Sequence, residues 1–134
     1  MFSHYFVGIT DFNRALEFYN PLMDCLGVEQ RFCDPSKPWA GWHSEAGGRP
    51  LFVIGRPFDG EGHEAGNGQM IAFLAKNRAM VRRAYDISLK SGGSSEGEPG
   101  LRTRYHQNYY GAYLRDPDGN KLCIVCHDPE ADNA

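Results

Sequence analysis

Apolar and polar positions alternate along the first third of the chain in a way that predicts one strand followed by one helix. Residues Phe2 to Ile9 are mostly β-forming, and residues Phe12 to Leu26 place apolar side chains at helical spacing. Either Thr10 or Asp11 can cap the start of this helix, and Gly27 is a typical residue just after a helix end. The pattern therefore begins strand, then helix.

Shorter apolar runs complete the first half. Pro21 lies within the helical pattern and predicts a kink or a short break near Tyr19 and Asn20. Strands are expected at Val28 to Cys33, Trp39 to Ser44 and Leu51 to Ile54. The first half thus has the order β-α-β-β-β.

The same order begins again after a polar connector. Gln69 to Ala75 predicts a strand, and Asn77 caps a second amphipathic helix that is expected to end at 92–93. Ser94 to Gly100 is expected to form a loop, and a strand is expected between Leu101 and His106.

A hairpin ends the second half. Tyr110 to Leu114 and Leu122 to Val125 have strand composition, and the turn sequence Asp116-Pro117-Asp118-Gly119 lies between them. Pro117 presets φ in this turn, and Gly119 can take the positive φ that closes it. This hairpin is the most clearly defined element of the sequence.

The two halves can be aligned as a repeat. A constant offset of 71 residues lays Trp39 on Tyr110 and Phe52 on Cys123. Near the first strands an offset of 65 lays His4 on Gln69. Two modules are therefore predicted, 1–57 and 69–134, joined by a connector at 58–68.

Three features together resemble the vicinal oxygen chelate superfamily, which includes glyoxalases, bleomycin-resistance proteins and dioxygenases. They are His4 before the first helix, the run Ala15-Leu16-Glu17-Phe18-Tyr19, and the turn Asp116-Pro117-Asp118-Gly119-Asn120. The resemblance implies an α+β fold in which two βαβββ modules curl mixed sheets around a cavity. It also implies a homodimer whose second subunit often completes that cavity.

In metal-using members of that superfamily, four strand positions supply the ligands. Carried onto this chain, these positions hold His4, Gln69, Phe52 and Cys123. Phe52 has no donor atom, and a thiolate at Cys123 favours zinc over a hard ion. Two expectations follow: a zinc site formed by His4, Gln69 and Cys123, or a protein that binds no metal.

Polar and aromatic residues of both halves are candidates for the cavity wall. His4 and His106 are the candidates for proton transfer near neutral pH. If Arg102, Arg104 and His106 share one strand face, they favour an anionic, carboxylate-bearing ligand. Together with the metal candidates, the expected ligand-binding residues are Trp39, Trp42, Phe52, Gln69, Arg104, Tyr110 and Cys123.

Some of these residues are expected to lie elsewhere. Trp39 and Trp42 are three residues apart, so we expect them on opposite faces of one strand, with one in the core. His63 and Glu64 lie in the Gly-rich connector and are expected to be solvated.

Composition limits the partners. The formal net charge of −3 and the lack of any Lys/Arg block argue against nucleic acid. No apolar run approaches the roughly 18 residues that a membrane span requires. The first residues do not resemble a signal peptide, so the four cysteines predict reduced thiols and a cytoplasmic location.

Two functions are compatible with these features. The first is a lyase-type enzyme, similar to lactoylglutathione lyase, that acts on a small organic molecule with an incomplete metal site. The second is a metal-free protein that binds or sequesters a small molecule in an aromatic cavity.

Overall fold

The computed structural model describes residues 1–130, and within them the chain forms two βαβββ modules. The order is that predicted from the sequence, and the fold is α+β. The first module has these elements: β1 (His4–Gly8), α1 (Phe12–Leu26), β2 (Gln30–Asp34), β3 (Trp39–Trp42) and β4 (Leu51–Gly55). The second has β5 (Ile71–Leu74), α2 (Arg78–Lys90), β6 (Ser94–Leu101), β7 (Tyr110–Arg115) and β8 (Lys121–Cys126).

Each module contributes a four-stranded mixed sheet. Sheet 1 has the strand order β1-β4-β3-β2, and sheet 2 has the equivalent order β5-β8-β7-β6. The first strand of each module pairs in parallel with the last, whereas the other pairs are antiparallel. Neither helix of residues 1–130 has both the length and the apolar surface to cross a membrane.

The first helix is capped at both ends as its sequence indicates. The Asp11 carboxylate accepts a hydrogen bond from the backbone N–H of Arg14, and Gly27 takes a left-handed conformation with φ of 73°. The predicted break near Tyr19 is wrong, because the helix runs without interruption from Phe12 to Leu26 with Pro21 inside it. Its apolar side is buried on both sides of the proline, including Tyr19 and Leu22.

One hydrophobic core serves both modules. The side chains of Phe52 and Ile54 in sheet 1 and of Leu122 and Ile124 in sheet 2 belong to a single buried cluster with the helices. Successive side chains of a strand point to opposite faces, so the intervening residues lie on the faces turned away from this core. We call these the outer faces of sheet 1 and sheet 2.

The sequence placed the strand before the hairpin wrongly. Ser94 to Leu101 forms β6, and the expected strand between Leu101 and His106 is a loop, residues 102–109. The pairing of β6 with β7 shifts between Ser95 and Gly97 and again between Gly97 and Gly100. An edge strand is bonded on one side alone, which is why this one tolerates glycine and proline.

The constant offset of 71 between the halves reproduces the strand pairing but not the faces. Trp42 pairs with Phe52 in sheet 1, and Tyr113 pairs with Cys123 in sheet 2, as an offset of 71 requires. Phe52 belongs to the shared core, however, and Cys123 does not. A one-residue error exchanges the two faces of a strand. Cys123 therefore corresponds to Val53, on an outer face, and not to Phe52 in the core.

The connector is held against both modules. The imidazole Nε2 of His63 lies 2.7 Å from Asn120 Oδ1, and Thr10 Oγ1 accepts a hydrogen bond from the His63 backbone N–H. Asn120 Nδ2 in turn donates to the carbonyl oxygen of Gly8. His63 is thus half-buried and fixed, contrary to the expectation of a solvated side chain.

Candidate functional site

The outer face of sheet 2 carries a cluster of polar side chains centred on a buried thiol. Cys123 on β8 has no solvent exposure, and its Sγ lies 3.5 Å from the hydroxyl of Tyr109. The Tyr109 hydroxyl is also 2.9 Å from that of Tyr113 on β7, the strand residue paired with Cys123. The tyrosines therefore separate the thiol from solvent.

Burial controls the ionisation of this cluster. Loss of solvent raises the pKa of Cys123, and the hydrogen bond from Tyr109 opposes that effect without cancelling it. Loss of solvent also raises the pKa of Tyr109 and of Tyr113. All three groups are thus neutral near physiological pH, so they can donate hydrogen bonds but do not provide a thiolate or phenolate.

The loop at 102–109 brings basic groups to the edge of this cluster. The guanidinium of Arg104 donates a hydrogen bond of 3.4 Å to the hydroxyl of Tyr105. This contact lowers the pKa of the Tyr105 hydroxyl. The loop residues Arg104 and Tyr105 are exposed, so both are accessible to a ligand.

His106 lies in the same loop but forms a pair with another histidine. Its Nε2 is 2.8 Å from Nδ1 of His127, and its Nδ1 accepts a hydrogen bond from the backbone N–H of Asn108. Because Nδ1 of the His106 ring is an acceptor, Nε2 carries the ring proton and donates a hydrogen bond to Nδ1 of His127. The His106 side chain therefore stabilises the loop at 102–109 and its contact with the end of β8.

The outer face of sheet 1 contains two of the expected residues. His4 on β1 is exposed, and its Nδ1 is 2.9 Å from the hydroxyl of Ser3. Trp39 on β3 is 38% exposed. Both line an open cleft beside β1 that is completed by Phe6, Gly8, Arg56, Pro57, Phe58 and His63.

Three other expected ligand-binding residues lie on the core side of their sheets. Trp42 is in the core, and Phe52 packs against Tyr19 with ring centroids 5.3 Å apart. Trp39 and Trp42 thus lie on opposite faces, as their spacing predicts. Tyr110 is half-buried against the core, and its hydroxyl accepts a hydrogen bond of 3.2 Å from Arg82 on α2.

The three candidate metal ligands lie at different places. His4 is on the outer face of sheet 1, Cys123 is on that of sheet 2, and Gln69 is exposed at the end of the connector beside Gly66. Within residues 1–130, no three His, Cys, Asp or Glu side chains are grouped so that they could hold a metal ion. The zinc site of His4, Gln69 and Cys123 stays a prediction that one chain alone does not assemble.

A second cleft, of about 540 Å³, lies between the modules and is mostly apolar. Phe52 and Phe73 approach each other there, with ring centroids 5.0 Å apart. The cleft also includes Leu74 on the outer side of the edge strand β5, which is 72% exposed.

Comparison with known proteins identifies the family. Residues 1–124 match the sequence model of the glyoxalase/bleomycin resistance protein/dioxygenase superfamily. The chain belongs to this superfamily. A glyoxalase/bleomycin resistance protein from Albidiferax ferrireducens T118 is 32% identical, with a TM-score of 0.82, and the match covers 96% of this chain and 99% of that one.

More distant superfamily structures share the fold. A glyoxalase/bleomycin resistance protein/dioxygenase family enzyme from Burkholderia phytofirmans PsJN is 18% identical with a TM-score of 0.68, covering 94% of this chain and 98% of the other. A lactoylglutathione lyase from Agrobacterium tumefaciens is 18% identical with a TM-score of 0.62, covering 94% and 92%. Comparison with curated protein sequences gives no match.

The sequence predicts this cluster only in part. Cys123 and Arg104 are among the predicted residues, but the contact of Tyr109 with both Tyr113 and Cys123 depends on how the loop at 102–109 folds back. The run of tyrosines before and within β7 was the available signal. His63 had no such signal, because its partners come from two distant segments.

Proposed function

We propose that the protein binds a small organic molecule without a metal ion, against the outer face of sheet 2. The observation that carries this proposal is the closed hydrogen-bonded group formed by Tyr109, Tyr113 and Cys123. It offers neutral donors and aromatic surface to a ligand, which is the usual composition of a small-molecule site.

The chemistry of the available donors argues against a metal-dependent lyase. Zinc needs a thiolate from cysteine, whereas burial raises the pKa of Cys123 and Tyr109 already contacts its sulfur. The one imidazole of the predicted set, His4, is on the other sheet. These residues do not fit a divalent ion, so the proposed function uses none.

A second copy of the chain closes the cavity in this proposal. The outer faces of both sheets turn away from the shared core, so within one chain they do not enclose a ligand together. Sheet 1 exposes Phe6, Trp39 and, just beyond β4, Phe58, with exposed fractions of 45%, 38% and 108%. Covering such a patch of large apolar side chains favours association.

Unpaired strand edges support the same arrangement. β1 and β5 are the terminal strands of their sheets, and each has one side without a strand partner within residues 1–130. An exposed edge is a template for pairing with another chain. In a homodimer with two-fold symmetry the same contact forms twice, so each subunit covers the strand edges and outer faces of its partner.

The oligomeric state tests the dimer. One chain has a mass of 15.0 kDa, so light scattering after size exclusion should give about twice that mass. Phe58→Glu should shift the protein toward the monomer, because it places a charge in the exposed apolar patch. Leu101→Glu is the matched control, since Leu101 is also exposed but lies at the end of β6. A wild-type monomer contradicts the dimer.

Metal analysis and a ligand screen test the function itself. Purified protein should contain no stoichiometric metal before or after exposure to zinc or nickel, and it should not turn over a hemithioacetal. Small aromatic molecules should nevertheless raise its thermal midpoint, because ligands that bind only the folded state stabilise it. Stoichiometric metal that is lost in His4→Ala, or metal-dependent turnover, contradicts the proposal and favours the lyase.

A further inference from the structure

Three basic side chains surround the tyrosines on the outer face of sheet 2. The Arg102 guanidinium carbon lies 5.6 Å from the centre of the Tyr113 ring, and Lys121 Nζ lies 5.7 Å from the same ring. The Arg104 guanidinium carbon is 5.0 Å from the centre of the Tyr105 ring. Such distances are typical of cation–π contacts, which fix the positions of the charges.

None of these three charges has a carboxylate partner within residues 1–130. The salt bridges there join Arg14 to Asp118, Arg78 to Glu130 and Arg115 to Glu96. The chain as a whole is acidic, with a net charge of −3, so carboxylates are not scarce. A concentration of unpaired basic groups in an acidic protein indicates a local preference for anions.

The carboxylate that does lie nearby is already bonded. Glu96 on β6 accepts a hydrogen bond of 2.8 Å from Nε of Arg115. This bond lowers the pKa of Glu96, and the charge of Lys121 lowers it to a smaller extent. Because Glu96 is already paired with Arg115, it does not neutralise the charge of Arg102 or Arg104.

The backbone of β6 holds one of the basic groups in place. Arg102 folds back over this strand, where its guanidinium donates a hydrogen bond of 2.6 Å to the carbonyl oxygen of Glu98. A Cβ atom at Gly100 would lie 2.9 Å from the Arg102 guanidinium, so glycine leaves the space that this position needs. The other N–H groups of the Arg102 guanidinium are available to a ligand.

We propose that Arg102, Arg104 and Lys121, with the hydroxyls of Tyr105 and Tyr113, bind the oxyanion group of a small organic ligand. The anion class is carboxylate or phosphate, whose oxygens accept the parallel N–H donors of a guanidinium. The inference rests on the proposed function, because it assigns the ligand's charged group to the same face of sheet 2. The aromatic surface of the tyrosines then contacts the rest of the ligand.

Calorimetric titration at constant ionic strength tests this site with three probes: benzoate, phenyl phosphate and the neutral benzamide. Both anions should bind more tightly than benzamide. Arg104→Gln and Lys121→Gln should each weaken anion binding about tenfold and leave benzamide unchanged. Lys76→Gln is the matched control, because Lys76 is also basic and exposed but follows β5, the edge strand of sheet 2 opposite β6.

The outcomes separate the two proposals. Equal affinity for benzamide and the anions overturns the oxyanion site and leaves the small-molecule cavity in place. Anion binding that Lys76→Gln weakens as much as Lys121→Gln also overturns it, because the attraction is then due to overall charge. Failure of all three probes to bind overturns the oxyanion site, and the thermal screen then decides the proposed function. Tighter binding of phenyl phosphate or of benzoate identifies the anion class.

Discussion

The hydroxyl of Tyr19 on α1 donates a hydrogen bond of 2.5 Å to the carboxylate of Asp116, which lies 97 residues later in the turn between β7 and β8. Asp116 is 3% exposed, and its other oxygen accepts the backbone N–H groups of Asp118 and Asn120. The bond therefore joins the helix of the first module to the hairpin turn of the second.

Removing this donor should destabilise the protein. Tyr19→Phe leaves the buried Asp116 carboxylate with one hydrogen bond fewer, and we expect the free energy of unfolding to fall by about 1–3 kcal/mol. Urea denaturation measures the change. Tyr5→Phe is the control, because Tyr5 is 42% exposed, and it should have almost no effect. Equal effects of the two substitutions would contradict the importance of the Tyr19 hydroxyl.

Asp116 should also make stability depend on pH. Burial raises the pKa of this carboxyl above its ordinary value of 3.8, although hydrogen bonds, chiefly from Tyr19, oppose the rise. The folded state therefore holds the proton more tightly, and this group's contribution to the free energy of unfolding decreases as pH rises from 3.8 through the raised pKa.

Asp116→Asn isolates that contribution because the amide does not titrate. The difference in unfolding free energy between wild type and Asp116→Asn should shrink as pH rises from about 4 to about 7. Urea denaturation at several pH values across this range measures it. A difference that grows with pH would show that the folded state lowers the pKa of Asp116 instead.

Gly8 and His63 should show strong coupling. A Cβ atom at Gly8 would clash with Nδ1 of His63, whose ring is held by Asn120. Gly8→Ala should therefore cost about 1–3 kcal/mol, and combining it with His63→Ala should recover part of that loss. A double-mutant cycle by urea denaturation measures the recovery, and simple additivity would contradict the contact.

The four cysteines are free thiols and should differ in reactivity. Cys33 is exposed, whereas Cys123 and Cys126 have exposed fractions of 0% and 1%. In native protein, Ellman's reagent should modify Cys33 rapidly and the two buried thiols only after urea is added. Cys33→Ser should remove the fast phase. Mass-spectrometric detection of modified Cys123 in native protein would contradict its shielding by Tyr109.

Elements fixed by local chemistry were predictable from the sequence. The Asp11 and Asn77 caps and the turn closed by Gly119, with φ of 86°, each depend on residues that are adjacent in the chain. The strand β6 was not predictable, because its glycines and Pro99 have low strand propensity. Its hydrogen bonds to β7, rather than its own composition, stabilise it as a strand. Edge strands of this composition are where sequence patterns fail.

The candidate site was less predictable than the fold for a related reason. The repeat offset of 71 reproduces the pairing of the strands but exchanges their faces, and the loop between β3 and β4 is longer than the turn between β7 and β8. A shift of one residue decides whether a side chain such as Phe52 lies in the core or on an outer face. Contacts like that of Tyr109 with Cys123 also depend on the path of a loop, which composition does not specify.

The single core shared by the modules gives the chain the character of a heterodimer whose subunits are covalently joined. Phe73 of the second module packs on Phe52 of the first, and Tyr19 reaches Asp116 across the same boundary. Each half therefore supplies the apolar partner that the other needs to fold. Cutting the chain within the connector would give two fragments that must associate again in order to fold. Replacing one module by that of a relative would require the new module to have a surface complementary to the other.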